Sequence, residues 1–175
     1  MNLTYEILKN YLKKLSEKNK RINDFSGFTY TELSAKVSGN NMRYPAMVLN
    51  SYKGRLKGVS QRTFNVREIS FSILIQTSGN VLDIETKQAL AESIGLSVLQ
   101  RIHTESQENE VKWLYRNFDA NTVEYSEIEY DNKDRVTGME FYFDLKTKQN
   151  FEMDLNDWSD KSNVAFSPGF NLGFK

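Results

Sequence analysis

Over residues 139–145 the chain alternates without a fault. Met139, Phe141, Phe143 and Leu145 fall on one face, and Glu140, Tyr142 and Asp144 on the other. A strict period of two predicts a strand with one face on a core and the other turned outward. Such a strand cannot stand alone. It needs neighbours to satisfy its backbone and a layer to cover its apolar side.

The rest of the chain offers both. Residues 63–76 read as a second strand, with Ile69, Phe71, Ile73 and Ile75 in alternation. Phe64 and Val66 alternate on the opposite parity, which predicts a bulge or bend near Arg67 and Glu68. Residues 46–52 read as a strand set up by Pro45, and residues 122–130 as another. Val111, Trp113 and Tyr115 also alternate with Lys112, Leu114 and Arg116. Residues 53–62 hold two glycines and four basic residues, which predicts a hairpin loop or flexible tip.

Two segments carry a helical period instead. In residues 3–18, Leu8, Tyr11, Leu12 and Leu15 recur at steps of three and four, with Leu3 and Ile7 extending the stripe. In residues 84–103, Leu90, Ile94, Val98 and Ile102 form a four-residue row, and Asp83 is placed to cap the start. Gly95 lies beside that row. A mid-helix glycine costs about 1 kcal/mol relative to alanine, which close approach to a sheet would offset. Residues 19–45 read as polar and irregular, anchored by Phe25, Phe28 and Tyr30.

The order is helix, two strands, helix, then a run of strands. It predicts an α+β domain over residues 1–148: an antiparallel sheet of about four to six strands with two main helices packed on it. Residues 149–175 differ. Phe151, Trp158, Phe166, Phe170 and Phe174 punctuate an acidic and amide-rich stretch broken by Ser167-Pro168-Gly169. An extended arm of this kind either folds back on its own domain or docks on a neighbour.

Composition narrows the function. Lys plus Arg and Asp plus Glu are equal at 23 each, which argues against a protein that coats DNA or a membrane surface. With no cysteine, thiolate catalysis and cysteine-rich zinc sites are excluded. The start of the chain lacks the charged and apolar regions of a signal peptide, and no apolar run is long enough for a membrane span. The single histidine, His103, falls near a helix end, where the dipole favours it.

Three clusters remain. Asp83, Glu85 and Lys87 have the residue types of a metal-dependent nuclease, but they open a helix, where acids are expected anyway. Glu124, Glu127, Glu129, Asp131 and Asp134 read as a solvated strand face and turn, or as a partner for a basic surface such as residues 53–62 of another copy. Lys53, Arg55, Lys57 and Arg62 at that tip suit a solvated hairpin, an inter-subunit contact or a nucleic-acid phosphate. No catalytic, cofactor or metal residue is assigned, and the chain is not expected to be an enzyme.

The element order and proportions resemble the tail terminator and tail-completion (head–tail joining) proteins of tailed bacteriophages. The resemblance is carried by the N-terminal helix, the strand pair of residues 46–76 with its long tip, the helix of residues 84–103, and the late hairpin ending in Gly138-Met139-Glu140-Phe141-Tyr142-Phe143-Asp144-Leu145. It covers residues 1–148 and not the arm. It implies a virion subunit, assembled in the host cytoplasm, that forms a ring with copies of itself, usually a hexamer. The ring would cap the tail tube and join it to the head. The implied partners are the tail tube protein and a head–tail connector or neck protein, with phage DNA passing through the channel and no cofactor. A connector or another neck-ring subunit would share the same core. The surfaces expected to carry the assembly are the tip, with Lys53, Arg55, Leu56, Lys57 and Arg62, and the aromatic arm.

Overall fold

The computed structural model describes residues 3–27, 42–58, 63–131 and 134–148, together with Ser159. The elements are α1 (Tyr5–Lys18), β1 (Asp24–Ser26), β2 (Ala46–Lys57), β3 (Phe64–Gln76), α2 (Val81–Gln107), β4 (Phe118–Asp131) and β5 (Val136–Lys148). The strands form one five-stranded sheet in the order β1-β2-β3-β5-β4. The fold is α+β, as the periodicities predict. The sheet is mixed, because β1 runs parallel to β2 while every other pair is antiparallel. This short strand lies within the stretch read as irregular, since three residues are too few to display a period. Phe25 is buried there as expected, while Phe28 and Tyr30 lie outside the described residues.

Both helices cover the same face of the sheet. Leu8, Leu12 and Leu15 of α1 and Ile94, Val98 and Ile102 of α2 join Leu49, Phe71, Ile73, Phe141 and Phe143 in one core. The start of α1 is fixed by Thr4, whose Oγ1 accepts from Ile7 N at 3.3 Å. Leu3, just before that cap, is buried in the same core as Leu8, a hydrophobic staple across the first turn. Helix α2 is longer than predicted at both ends. Its cap is Asn80, whose Oδ1 accepts from Leu82 N at 2.9 Å; Asp83 stands inside the first turn. Leu90 is exposed, because a row spaced by four drifts around the helix; Ala91 takes its place in the core.

Gly95 is where α2 meets the sheet. A Cβ at this position would lie 2.0 Å from Phe141 Cε2. Phe141 cannot step aside. Its ring is stacked on Phe71 at 5.1 Å and on Tyr125 at 5.7 Å.

The phase change foreseen in β3 occurs in β2 instead. Strands β3 and β5 pair without interruption from Phe64↔Lys148 to Gln76↔Val136. In β2 the register slips between Leu49, opposite Phe71, and Ser51, opposite Ser70, leaving Asn50 as the extra residue. The slip reverses which side of the sheet each later residue faces. Met47 and Leu49 face the core, and Tyr52, Gly54 and Leu56 share that side after the bulge, so Lys53, Arg55 and Lys57 face away. Because β3 stays in phase, Phe64 and Val66 lie on the outer face and Arg67 on the core face.

Arg67 is accordingly buried. Its Nε donates to Tyr52 Oη at 2.8 Å, one terminal nitrogen to Thr147 Oγ1 at 2.6 Å, and the other to the Leu3 carbonyl at 2.7 Å. One guanidinium thus ties β2, β5 and the lead into α1 together. A fork of fixed donors suits three separate acceptors better than an ammonium point charge.

The segment around Trp113 is not a strand. Leu114 N and Tyr115 N both donate to the Val111 carbonyl, at 2.8 and 3.0 Å, which closes helical turns. These turns bury Trp113 and Leu114 together, whereas an extended chain would place them on opposite sides. Among the described residues no helix is long and apolar enough to cross a membrane.

Gly95→Ala is expected to destabilise the fold by about 3 kcal/mol, because the ring it strikes is held on both faces. Thermal unfolding should register a fall in Tm of about 6–12 °C. At Gly54 an added Cβ would meet only Asn65 Oδ1, at 3.5 Å. Gly54→Ala should therefore leave Tm unchanged or slightly raised.

Candidate functional site

The split β3–α2–β4 arrangement sends the chain along the sheet, back through α2, and along the sheet again, with β5 inserted between β3 and β4. The molecule therefore has two distinct ends. At one, the hairpin of β2 and β3 lies beside the last residues of β5 and the start of β4. At the other lie the start of α2, the far half of β4 and the start of β5. Gln88 Nε2 donates to the Ile128 carbonyl at 3.4 Å, which sets the first turns of α2 beside β4.

The hairpin end is basic. Lys53, Arg55 and Lys57 belong to β2 itself, which runs five residues beyond the predicted strand; residues 53–57 pair with residues 64–68. Gly54 is a strand residue here and not part of a turn. Arg55 pairs with Glu68 and, at 3.4 Å, with Asp144. Lys146 pairs with Asp119 at 2.5 Å, and that lysine holds the carboxyl below the usual aspartate range. Lys53, Lys57 and Lys148 are exposed. Two large apolar side chains also stand in solvent at this end, Leu56 at 53% and Phe64 at 45% exposure. Of the predicted assembly residues, Lys53, Arg55, Leu56 and Lys57 are thus brought together. Arg62, Phe151, Trp158, Phe166, Phe170 and Phe174 lie outside the described residues.

The opposite end is acidic; its Glu127 and Glu129 belong to the acidic stretch read in the sequence, while the exposed residues of α2 beside them were not singled out. Glu85, Glu127 and Glu129 are exposed there, and Val81 and Leu82, in the first turn of α2, are each 71% exposed. Two exposed apolar residues opening a helix break the usual amphipathic pattern, and that was the available signal.

The Asp83, Glu85 and Lys87 cluster does not converge. Residues four apart share a helix face and residues two apart do not. Lys87 Nζ lies 3.9 Å from Asp83 Oδ1, while Glu85 stands on another side of α2. Asp83 has a structural role: its Oδ2 accepts from Ser78 N at 2.7 Å, Thr77 Oγ1 at 2.7 Å and Ser78 Oγ at 2.9 Å. The Ser78 amide foremost, then the two hydroxyls, hold its carboxyl at about 2, below the usual 3.8. Among the described residues no group of three or more His, Asp or Glu side chains could hold a metal ion.

The remaining polar clusters are satisfied internally. In a cleft of about 420 Å³ between α1 and the end of α2, Tyr11 Oη donates to Glu105 Oε2 at 2.7 Å. Arg101 Nε donates to the other oxygen of that carboxylate at 2.6 Å. Burial, followed by the bond to Glu105, pushes the Tyr11 phenol well above its ordinary range. The Tyr11 ring packs edge-on against Trp113 at 5.1 Å. On the outer face of the sheet, Asn50 Nδ2 donates to Ser72 Oγ at 2.5 Å and to Glu140 Oε1 at 2.8 Å. Ser51 and Ser70 share a hydrogen bond of 3.0 Å. Tyr142, bonded to Glu140, is pushed up to about 12. His103 is exposed near the end of α2, with its ring 6.0 Å from that of Phe118.

The depressed Asp83 value carries a sign. Its contacts stabilise the fold fully above the ordinary aspartate value and are lost as pH falls through about 2. Asp83→Asn should lower Tm at neutral pH. The gap between the two proteins should stay constant down to about pH 4 and close as pH approaches about 2. Scanning calorimetry across that window checks it.

No protein-family model matches the chain, and no curated protein sequence does.

Proposed function

We propose that the protein is a structural subunit of a phage tail or neck ring, a tail terminator or tail-completion protein that assembles with copies of itself at the junction of tail tube and head. The observation that carries this reading is the sheet's two edges, which have open stretches among the described residues. Strand β1 pairs only with residues 46–48 of β2, so residues 49–57 have no described neighbour on that side. At the other edge β4, 14 residues long, pairs with β5 alone among the described residues. Long open edges invite pairing and are ordinarily blunted or covered. In a ring subunit, assembly covers them.

Strand direction supports the same reading. Strands β2, β3, β5 and β4 alternate in direction. A second copy that sets its β2 beside β4 continues the alternation, and so extends an antiparallel sheet from subunit to subunit. Different surfaces meet in such a contact, and a contact of that type closes into a ring when its rotation divides a full turn.

The purified protein, alone and mixed with tail tube protein, is expected to give a discrete multiple of the chain mass by native mass spectrometry. Closed rings with a central opening are expected in negative stain. A strict monomer at high concentration under both conditions would overturn the reading.

A further inference from the structure

We infer that the acidic start of the C-terminal arm, residues 151–158, folds back in cis onto the outer face of the sheet and seats on Phe64 and Val66 between two basic walls.

The register defines the seat. Phe64 and Val66 lie on the outer face of β3. Phe64 is flanked by Lys57 of β2 on one side and Lys148 of β5 on the other, and Val66 by Arg55 and Lys146. All six side chains belong to the face turned away from the helices. A short apolar floor therefore runs along β3 at the hairpin end, with a basic wall on each neighbouring strand. Val66 is 1% exposed and Phe64 45%, on a side of the sheet that neither helix covers. Arg55 and Lys146 are already paired, with Glu68 and Asp144 and with Asp119. Lys57 and Lys148 are exposed and form no ion pair among the described residues.

The bulge at Asn50 builds one of the walls. Without that slip Gly54 would stand beside Val66 and Leu56 beside Phe64, and the basic residues of β2 would face the helices.

The occupant follows from its chemistry and from where the chain leaves the sheet. Between residues 149 and 160 the arm carries Glu152, Asp154, Asp157 and Asp160 and no basic residue, interleaved with Phe151, Met153, Leu155 and Trp158. The apolar side chains suit the floor, and the carboxylates suit the unpaired lysines at its rim. Strand β5 ends at Lys148, level with Phe64, so the arm begins at the edge of the seat. A second layer lies about 10 Å above a sheet, which about three extended residues span, so the arm reaches that layer at Phe151. Residues 151–158 then cover about 23 Å along β3, from Phe64 to the level of Tyr142, the other exposed ring on this face. The helix-bearing side offers Asn65 and Thr147 at the level of the chain exit, with Leu56 as its single apolar residue. No linker separates the arm from its seat, which favours contact in cis over the arm of another copy.

The test is carbodiimide coupling of lysine amines to carboxylates in the full chain, read by peptide mass spectrometry, on an equal mixture of ordinary and isotopically heavy chains. Lys57 lies across the seat from Lys148, so its coupling to Glu152, Asp154 or Asp157 reports docking and not nearness in sequence. These cross-links are expected, each joining two peptides of the same isotope. Phe64→Ser, at a side chain partly in solvent, is expected to lower their yield several-fold, since one buried aromatic contact is lost. Phe151→Ser, in the arm, should do the same and serves if Phe64→Ser fails to fold.

Mixed-isotope cross-links would give the seat to the arm of another copy and overturn docking in cis. Absence of Lys57 cross-links would overturn the seat itself, and salt-dependent retention of duplex DNA by the same chain would then assign the basic walls to phosphate. Cross-links unchanged by both serine variants would show attraction by charge alone and overturn the apolar floor. The contact is independent of ring assembly, which native mass spectrometry reads separately.

Discussion

The sheet and its helical layer are held at their separation by one glycine. At Gly95, α2 approaches so closely that the ring of Phe141 occupies the space a β-carbon would need. Phe141 belongs to β5, which is hydrogen-bonded to β3 on one side and β4 on the other. Its ring is sandwiched between Phe71 of β3 and Tyr125 of β4. Three strands and the long helix therefore share a single point of contact. Interiors are packed too densely for such a point to absorb an extra methyl group without moving its surroundings. The helix cost of glycine, about 1 kcal/mol, is offset by the burial that this approach permits.

Much of this was legible in the residues themselves. The alternation in β5 and the apolar row in α2 are dictated by burial on one side only, and such patterns survive in sequence. The hidden parts have a common cause. Strand β3 is buried in places on both faces, with Val66, Ser70 and Ser72 covered on one side and Ile69, Phe71 and Ile73 on the other. Two-sided burial erases the contrast that marks a phase. The odd-numbered run of β2 passes from Met47 and Leu49 through Ser51 to Lys53 and Arg55, as if basic residues entered the core. A one-residue slip at Asn50 resolves that conflict, while an arginine, Arg67, is buried in the strand where the slip was expected. Periodicity reports that a phase must change; it does not report which partner strand yields.

The candidate surfaces were half legible for a related reason. Basic residues at a hairpin announce themselves as a cluster in sequence. The acidic corner is assembled from the first turn of α2 and the far half of β4, about forty residues apart, and only the fold makes it one surface. Val81 and Leu82 precede the helix as read from residue 84, and their exposure becomes visible only once the helix is seen to start at Val81. Asp83, read in the sequence as the cap of this helix, proves to be the acceptor that ties Thr77 and Ser78 to its first turn.

Strand β5 has a further consequence that concerns synthesis and not the finished fold. It follows β3 and β4 in the chain, yet lies between them in the sheet. A nascent chain that has emerged only as far as Asp131 holds β3 and β4 with no strand to join them. Thr147, one of the three acceptors for Arg67, is also still missing at that stage, while the Leu3 carbonyl, another of them, was made first. Pairings that span so much of the chain must wait for their last partner. The sheet therefore cannot close until residues 136–148 have emerged, and until then the apolar sides of β3 and β4 are open to contact with other copies of the chain.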